Sequence, residues 1–314
     1  MLQSVRGITV IPAPRISVVI PHLNEPDDLR RCLAALDAQR EADISYEVIV
    51  VDNGSKCLPS EICAAFKDTR LEQEAAPGPG PARSRGASLA RGDIVAFIDA
   101  DCLADKGWMR NIVTFMDQNP NIHVIAGDVQ VLRQDPKAPT MFEIYEGIFS
   151  YLIPVYVARD HYAATGNMSV RRDIFTAVGP FGGIGMAEDR EWGQRATGMG
   201  FSLAYVPQVR VSTSACKTFA ELARRWDRAI AHDYADAMEQ PLGQLKWIVR
   251  SFLVALSPPF EFPRIIKSGK AGTSREVWLA FSCLVRIRLY RAGRMITQAT
   301  HGRARASLER WNRD

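Results

Sequence analysis

The chain has 314 residues, 47% of them hydrophobic and 24% charged, with 22 Gly and 18 Pro. That composition belongs to a globular protein of one large α/β domain or two smaller ones, and it excludes collagen, a disordered tail and a disulfide-stapled mini-protein. The net charge of +4 is unevenly placed: from Arg264 onward twelve basic side chains stand against three acidic ones, leaving that stretch at +9 and the rest of the chain at −5.

Ile16 to Ile20 (ISVVI) is a β-branched run ending at Pro21, which reads as a buried strand. Asp27 to Gln39 places Leu29, Cys32, Leu33 and Leu36 at three- and four-residue steps, predicting an amphipathic helix. Glu47 to Val51 (EVIVV) is a second strand, closed by Asp52-Asn53-Gly54-Ser55, with a short helix through Glu61 to Phe66. Pro77-Gly78-Pro79-Gly80-Pro81 predicts an irregular loop, and helix resumes over Ala82 to Ala90. Ile94 to Ile98 (IVAFI) is a third strand, ending at Asp99-Ala100-Asp101. Strands and helices alternating at this spacing predict a mostly parallel sheet with helices on both faces.

Beyond Asp101 the pattern predicts a helix at Lys106 to Asp117 and strands at His123 to Leu132 and Met168 to Val170. Further helices are expected over Glu188 to Thr197 and Thr218 to Met238, with two Arg-studded segments at Leu242 to Leu256 and Val277 to Ile296. Residues 1–215 are expected to form the catalytic domain and residues 216–314 a basic helical segment. The acidic body argues against nucleic acid as a partner. In the C-terminal segment Trp278, Leu279, Phe281, Leu284, Ile287 and Leu289 alternate with arginines, which fits an interfacial helix on an anionic membrane and also a helix docked on the main domain; peripheral membrane association through this segment is the expectation. Trp247 to Leu256 reads as core.

The six cysteines form no CxxC pair and no zinc spacing with the five histidines, so reduced thiols in a cytoplasmic protein are expected. The opening residues lack the order of a secretory leader, and the apolar runs near the C-terminus are too short to span a bilayer.

In parallel α/β sheets ligands bind beyond the carboxyl ends of the strands, and here those ends are polar. Asp99 and Asp101 leave a buried strand two residues apart, so both carboxylates suit one Mg2+ or Mn2+ ion that also bridges substrate phosphates; the same pair also fits a plain turn cap. Arg83 carries the planar fork that suits phosphate oxygens, while Arg85 reads as a solvated charge. Glu188-Asp189 follows the glycine-rich stretch Phe181 to Gly185 and opens a helix, where it serves either as a cap or as a general base.

Together, ISVVIPHLNE, YEVIVVDNGS, GPARSRGASLARGDIVAFIDADC, ATGNMSVRRDIFTAVGPFGG and AEDREWGQRATGMG with LAYVP resemble, in order, the family 2 glycosyltransferases of GT-A fold. The resemblance implies a metal-dependent, inverting hexosyltransferase that uses a nucleoside-diphosphate sugar, a UDP-sugar first among them, and a glycan or lipid-linked acceptor. It implies that Pro21, His22, Asn24 and Glu25 line the nucleotide pocket and that Asp52 meets the base. Arg83 would meet the base or diphosphate, Asp99 the ribose or metal, and Asp101 the metal directly. Gly166, Asn167 and Met168 would line the sugar cleft, with Asp189 as base and Glu188 beside it. Surface polysaccharide or glycolipid assembly at the cytoplasmic face of a membrane is the implied setting.

The chain departs from the family pattern at His22, where tyrosine is usual, and at Ser84, where asparagine is common. VPQVRVSTSACK lacks a histidine that many members carry, and ELARRWDR lacks the Gln of processive synthases, so one sugar per acceptor visit is expected. A nucleotide-sugar-binding protein without turnover is the competing reading. A nucleotidyltransferase would carry a glycine-rich basic loop where this chain has PHLNE, and an oxidoreductase would carry GxGxxG.

Overall fold

The computed structural model of the protein describes residues 13–39, 44–184 and 186–301. β1 (Ile16–His22), α1 (Pro26–Asp37) and β2 (Tyr46–Asp52) open the chain; α1 buries Leu29, Cys32, Leu33 and Leu36, the stripe its spacing predicts. α2 (Ser60–Ala64), β3 (Thr69–Gln73), α3 (Pro79–Leu89) and β4 (Ile94–Ile98) complete the first half. Next come β5 (Cys102–Ala104), α4 (Trp108–Gln118), β6 (Val124–Leu132), α5 (Met141–Phe149) and α6 (Ile153–Val155), which runs into a π-helical turn. β7 (Asn167–Arg171), α7 (Arg172–Val178), α8 (Glu188–Gly198) and β8 (Leu203–Ser214) follow. The helices α9 (Phe219–Met238), α10 (Gly243–Leu256), α11 (Pro258–Lys267) and α12 (Ser274–His301) close the described chain.

The strands form one sheet in the order β3-β2-β1-β4-β7-β6-β8-β5. β3, β2, β1 and β4 run parallel, as β6 and β8 do. The expected mostly parallel sheet is present, with two antiparallel insertions: β7 between β4 and β6, and β5 on the edge beside β8. β5 is only three residues long, whereas β7 matches β4 in length and pairs with it along all five residues. The connection from β3 through α3 returns past β1 to β4, so the chain reverses its order between β1 and β4. That reversal opens a crevice at their carboxyl ends.

The proline-rich loop is shorter than the sequence suggests. Pro79, Gly80 and Pro81 form the first turn of α3, because a proline there loses no helical hydrogen bond. Gly78 ends the loop at φ 116, a conformation that favours glycine, and its N–H donates to Asn53 Oδ1 at 2.8 Å.

Of its two readings α12 takes the docked one, and α10 buries less than expected. In α12 Leu284 and Ile287 are fully buried, packing with Ile144 and Tyr145 of α5 and Leu222 of α9. Its arginines are largely engaged within the protein: Arg291 stacks 3.5 Å from the Trp226 ring centre, Arg286 lies over Phe219, and Arg294 binds Asp227. α10, expected as core, buries only Gly243, Trp247, Ser251 and Val254. Arg303, Arg305, Arg310 and Arg313, part of the basic count, lie outside the described residues, as do residues 1–12 and Gly185.

Candidate active site

The crevice at the ends of β1 and β4 is a cleft of about 920 Å³. Pro21, His22, Glu25, Arg83, Asp99, Asp101, Gly166, Glu188 and Asp189 line it, bringing most of the sequence-predicted residues to one place. α9 forms the facing wall with Arg224, Arg225, Arg228 and His232.

At one end of the cleft the polar end of β2 braces the end of β1. Asp52 is 1% exposed and lies behind His22 rather than in the cleft. Its Oδ2 accepts the N–H groups of Gly54 and Ser55 at 3.1 and 3.0 Å, and its Oδ1 accepts from His22 Nδ1 at 2.9 Å. His22 Nε2 in turn accepts the Glu25 N–H at 3.3 Å, which fixes the ring proton on Nδ1. Burial pushes the Asp52 pKa up, but the bonds from Ser55, His22 and Gly54 outweigh it and hold the carboxyl below its ordinary range. The direct Asp52 contact with a base that the resemblance implies does not fit a carboxylate buried behind His22, which itself lines the cleft. Asn24 sits at φ 57 and faces an adjoining hollow with Lys56 and Leu58, not the main cleft.

Arg83 joins the end of β4 to the start of α8. Its Nη2 donates to Asp99 Oδ1 at 2.5 Å and its Nη1 to Glu188 Oε1 at 2.8 Å, while the guanidinium is only 4% exposed. Ser84, next in the chain, accepts the Phe181 N–H at 2.9 Å and ties α3 to the glycine-rich loop. Gly80 is needed there, because a Cβ would stand 2.2 Å from the Gly182 oxygen.

Asp101 accepts from the Thr213 hydroxyl at 3.4 Å. Burial and the neighbouring Asp99 push its pKa up to about 6, although Arg225 pulls the other way. Burial, with Asp101, Asp28 and Asp99, pushes Glu25 up to about 7. Among the described residues no group of three or more His, Cys, Asp or Glu side chains converges as a metal cage. Two strand-end carboxylates that both line the cleft fit an oxygen-seeking cation that takes its remaining ligands from water and phosphate.

Asp189 lies in the first turn of α8, with Oδ1 accepting the Arg190 N–H at 2.7 Å. Burial and the adjacent Glu188 push its pKa up to about 6. Gly166 borders Asp99 so closely that a Cβ would stand 2.9 Å from Asp99 Oδ2. Asn167 and Met168, both implied as cleft residues, are not. Asn167 is 1% exposed, with its amide donating to Asp128 O and Val209 O and accepting from Trp108 Nε1, and Met168 is buried in β7. Asn167 is held by the backbone oxygens of Asp128 and Val209, and Met168 belongs to the hydrophobic core of the sheet.

Three residues of the site escape the sequence reading. Asn53 donates to Glu74 O and Ala76 O at 2.9 and 2.7 Å and so holds the loop before α3. Glu146, fully buried in α5, receives Arg225 Nη1 at 2.7 Å and the Cys216 N–H at 2.9 Å. Arg225 also donates to the Tyr151 hydroxyl at 3.0 Å. Burial opposes the Arg225 charge, yet Tyr151 and Glu146 raise its pKa. An acid inside an otherwise apolar helix, MFEIYEGIF, is the signal that marks Glu146.

The Glycosyl transferase family 2 model matches residues 17–179. "Glycosyltransferase AglE" of Haloferax volcanii is 30% identical over 218 residues, 68% of this chain and 70% of the relative. The mannosyltransferase PcManGT from Pyrobaculum calidifontis, solved with GDP-Man and Mn2+, superposes with a TM-score of 0.60 at 18% identity, covering 93% of this chain and 89% of that one. S. aureus TarS 1-349, solved with UDP-GlcNAc, superposes with a TM-score of 0.51 at 15% identity over 92% of each chain.

Proposed function

The chain belongs to glycosyltransferase family 2, and on that premise we propose that it is an inverting hexosyltransferase using a nucleoside-diphosphate sugar and an acceptor hydroxyl. The observation that carries this reading is the convergence of Arg83, Asp99, Asp101, Glu188 and Asp189 on one cleft at the sheet's reversal point. The nucleotide complexes of PcManGT and TarS support a UDP- or GDP-linked donor.

His22 and Pro21 bind the nucleoside, with Asp52 holding the His22 ring through its Nδ1 proton. Arg83 acts as a positioning residue: it fixes Asp99 on the donor side and Glu188 on the acceptor side of the reacting carbon. Asp189 takes the proton of the acceptor hydroxyl as that oxygen attacks the anomeric carbon opposite the departing nucleoside diphosphate, so the configuration inverts. Its raised pKa keeps it basic enough for that proton while leaving it ionised near neutrality. Holding both substrates in line supplies much of the remaining rate.

Asp101 and Asp99 would hold a Mn2+ or Mg2+ ion. Bound there, it supplies charge neutralisation for the leaving diphosphate.

We assign residues 1–215 to donor binding and catalysis, and residues 216–314 to the acceptor side, where α9 already walls the cleft. Single transfer to a glycan or lipid-linked acceptor in surface polysaccharide or glycolipid assembly, at the cytoplasmic side of a membrane, is the setting this reading favours. The test is release of UDP or GDP from a panel of hexose donors. Turnover with one donor, lost in Asp189→Asn while nucleotide binding survives, is expected. Nucleotide binding by the wild type without turnover on any donor and acceptor would instead make the protein a nucleotide-sugar-binding module.

A further inference from the structure

α10 is apolar on two opposite faces. Trp247, Ser251 and Val254 pack inward, with the Trp247 indole donating to Met295 O of α12 at 3.0 Å and its ring edge-on to Tyr234 of α9. Leu245, Val249, Phe252, Leu253 and Leu256 point the other way. At about 100° per residue they fall in one stripe, and Phe260 at the start of α11 carries it onward. Phe252 is 57%, Leu253 63%, Leu256 66% and Phe260 83% exposed. Scattered exposed leucines are ordinary, but a continuous stripe of this kind marks an interaction surface.

The charges beside the stripe decide what covers it. Between positions 241 and 272 the chain carries Lys246, Arg250, Arg264, Lys267 and Lys270 against one acid, Glu261; of these Arg250 pairs with Asp233 of α9 at 2.8 Å and Lys270 donates to Gly147 O at 2.6 Å. Glu261 is itself within 3.7 Å of Arg264 and 3.5 Å of Arg288. Exposed Lys246 borders the stripe on α10, and exposed Lys267 follows the exposed Ile266 on α11. A second copy related by a two-fold axis would set this basic margin against itself. An anionic lipid surface satisfies both features, taking the apolar stripe into the acyl boundary and the lysines to the headgroups. No described helix is long and apolar enough to cross a membrane.

We infer that α10 and the start of α11 dock the protein on an anionic phospholipid bilayer. The inference does not depend on the transfer reaction, because it is read without donor or acceptor. The full chain is sedimented with vesicles of phosphatidylcholine alone and of phosphatidylcholine with about one-third phosphatidylglycerol. Wild type is expected to sediment with the anionic vesicles and to be released by salt. The triple variant Phe252→Ser, Leu253→Ser, Leu256→Ser is expected to lose about tenfold or more in binding, with circular dichroism and thermal midpoint unchanged because all three side chains are exposed. Sedimentation of the variant equal to wild type would overturn the proposal, since binding would then reside in other basic residues. So would failure of the wild type to sediment, and in that case a concentration-dependent dimer abolished by the same variant would identify a second copy as the occupant.

Discussion

Arg83 and Glu188 stand 105 positions apart in the chain and meet at 2.8 Å. The same guanidinium holds Asp99 at 2.5 Å, so one buried cation sets the spacing between the end of β4 and the start of α8. Removing one partner from a buried pair leaves the others without compensation, at a cost of about 3–5 kcal/mol. Arg83→Met should therefore lower the unfolding free energy by about 3 kcal/mol and abolish transfer. Arg83→Lys keeps the charge but lacks the fork, so it should recover stability in part and activity little. Urea unfolding of both variants checks this; an unchanged midpoint for Arg83→Met would mean that the bridge holds nothing together.

Gly166 offers a finer probe, because its backbone is not in the left-handed region and alanine can adopt it. The added Cβ would meet Asp99 Oδ2 at 2.9 Å, so the carboxylate must turn while the strand stays. Gly166→Ala should leave the melting temperature within a few degrees and raise the Mn2+ concentration needed for half-maximal transfer about tenfold. A metal titration of the variant reads this directly, and an unaltered titration would place Asp99 away from the cation.

Transfer should follow the ionisation of Asp189. The base works only when deprotonated, and burial with Glu188 beside it pushes its pKa up to about 6. The rate constant should rise about tenfold per pH unit below that value and level off above it. Asp189→Asn should lower the rate by about 10²–10⁴ and remove this rise. A single-turnover pH profile that is flat from pH 5 to 8 in the wild type, at about its full rate, would assign the proton to another group.

Glu25 links the cleft to stability in the opposite sense to the usual carboxylate. Its folded pKa, pushed from 4.5 to about 7 by burial and the nearby Asp101, exceeds the unfolded one. The folded protein therefore holds this proton more tightly, and the associated stability is complete below about pH 4.5 and lost as pH rises through about 7. Glu25→Gln should be more stable than wild type by about 1–3 kcal/mol at pH 8, with the difference shrinking towards pH 5. Denaturant melts at the two pH values check the sign.

The first half of the fold is legible because its elements are strongly patterned. ISVVI, EVIVV and IVAFI have no reading other than buried strands, and the Leu29 to Leu36 stripe dictates α1. The strand ends then bring His22, Asp99 and Asp101 to one crevice. β3 and β5 were not legible: TRLEQ is polar and half-buried, and CLA is three residues long, so pairing rather than pattern makes them strands. Which apolar residues of α10 and α12 meet the protein is not legible in the sequence. Both segments carry enough apolar residues for two faces, and composition does not say which face meets the protein. Nor does the sequence separate Asn167 from Gly166, since only the fold turns the Asn167 amide to the backbone oxygens of Asp128 and Val209.

The proposed donor site stands on Asp99 and Asp101 holding a cation beside the nucleotide. Thermal unfolding with UDP, GDP, dTDP or CMP, each with and without Mn2+, for wild type and Asp101→Asn, is the decisive measurement. A nucleotide at a hundredfold over its Kd stabilises the folded state by about 2.7 kcal/mol, a shift of several degrees. A Mn2+-dependent shift with UDP or GDP that disappears in Asp101→Asn is expected. A shift of equal size in Asp101→Asn, or none with any nucleotide in the wild type, would overturn the assignment.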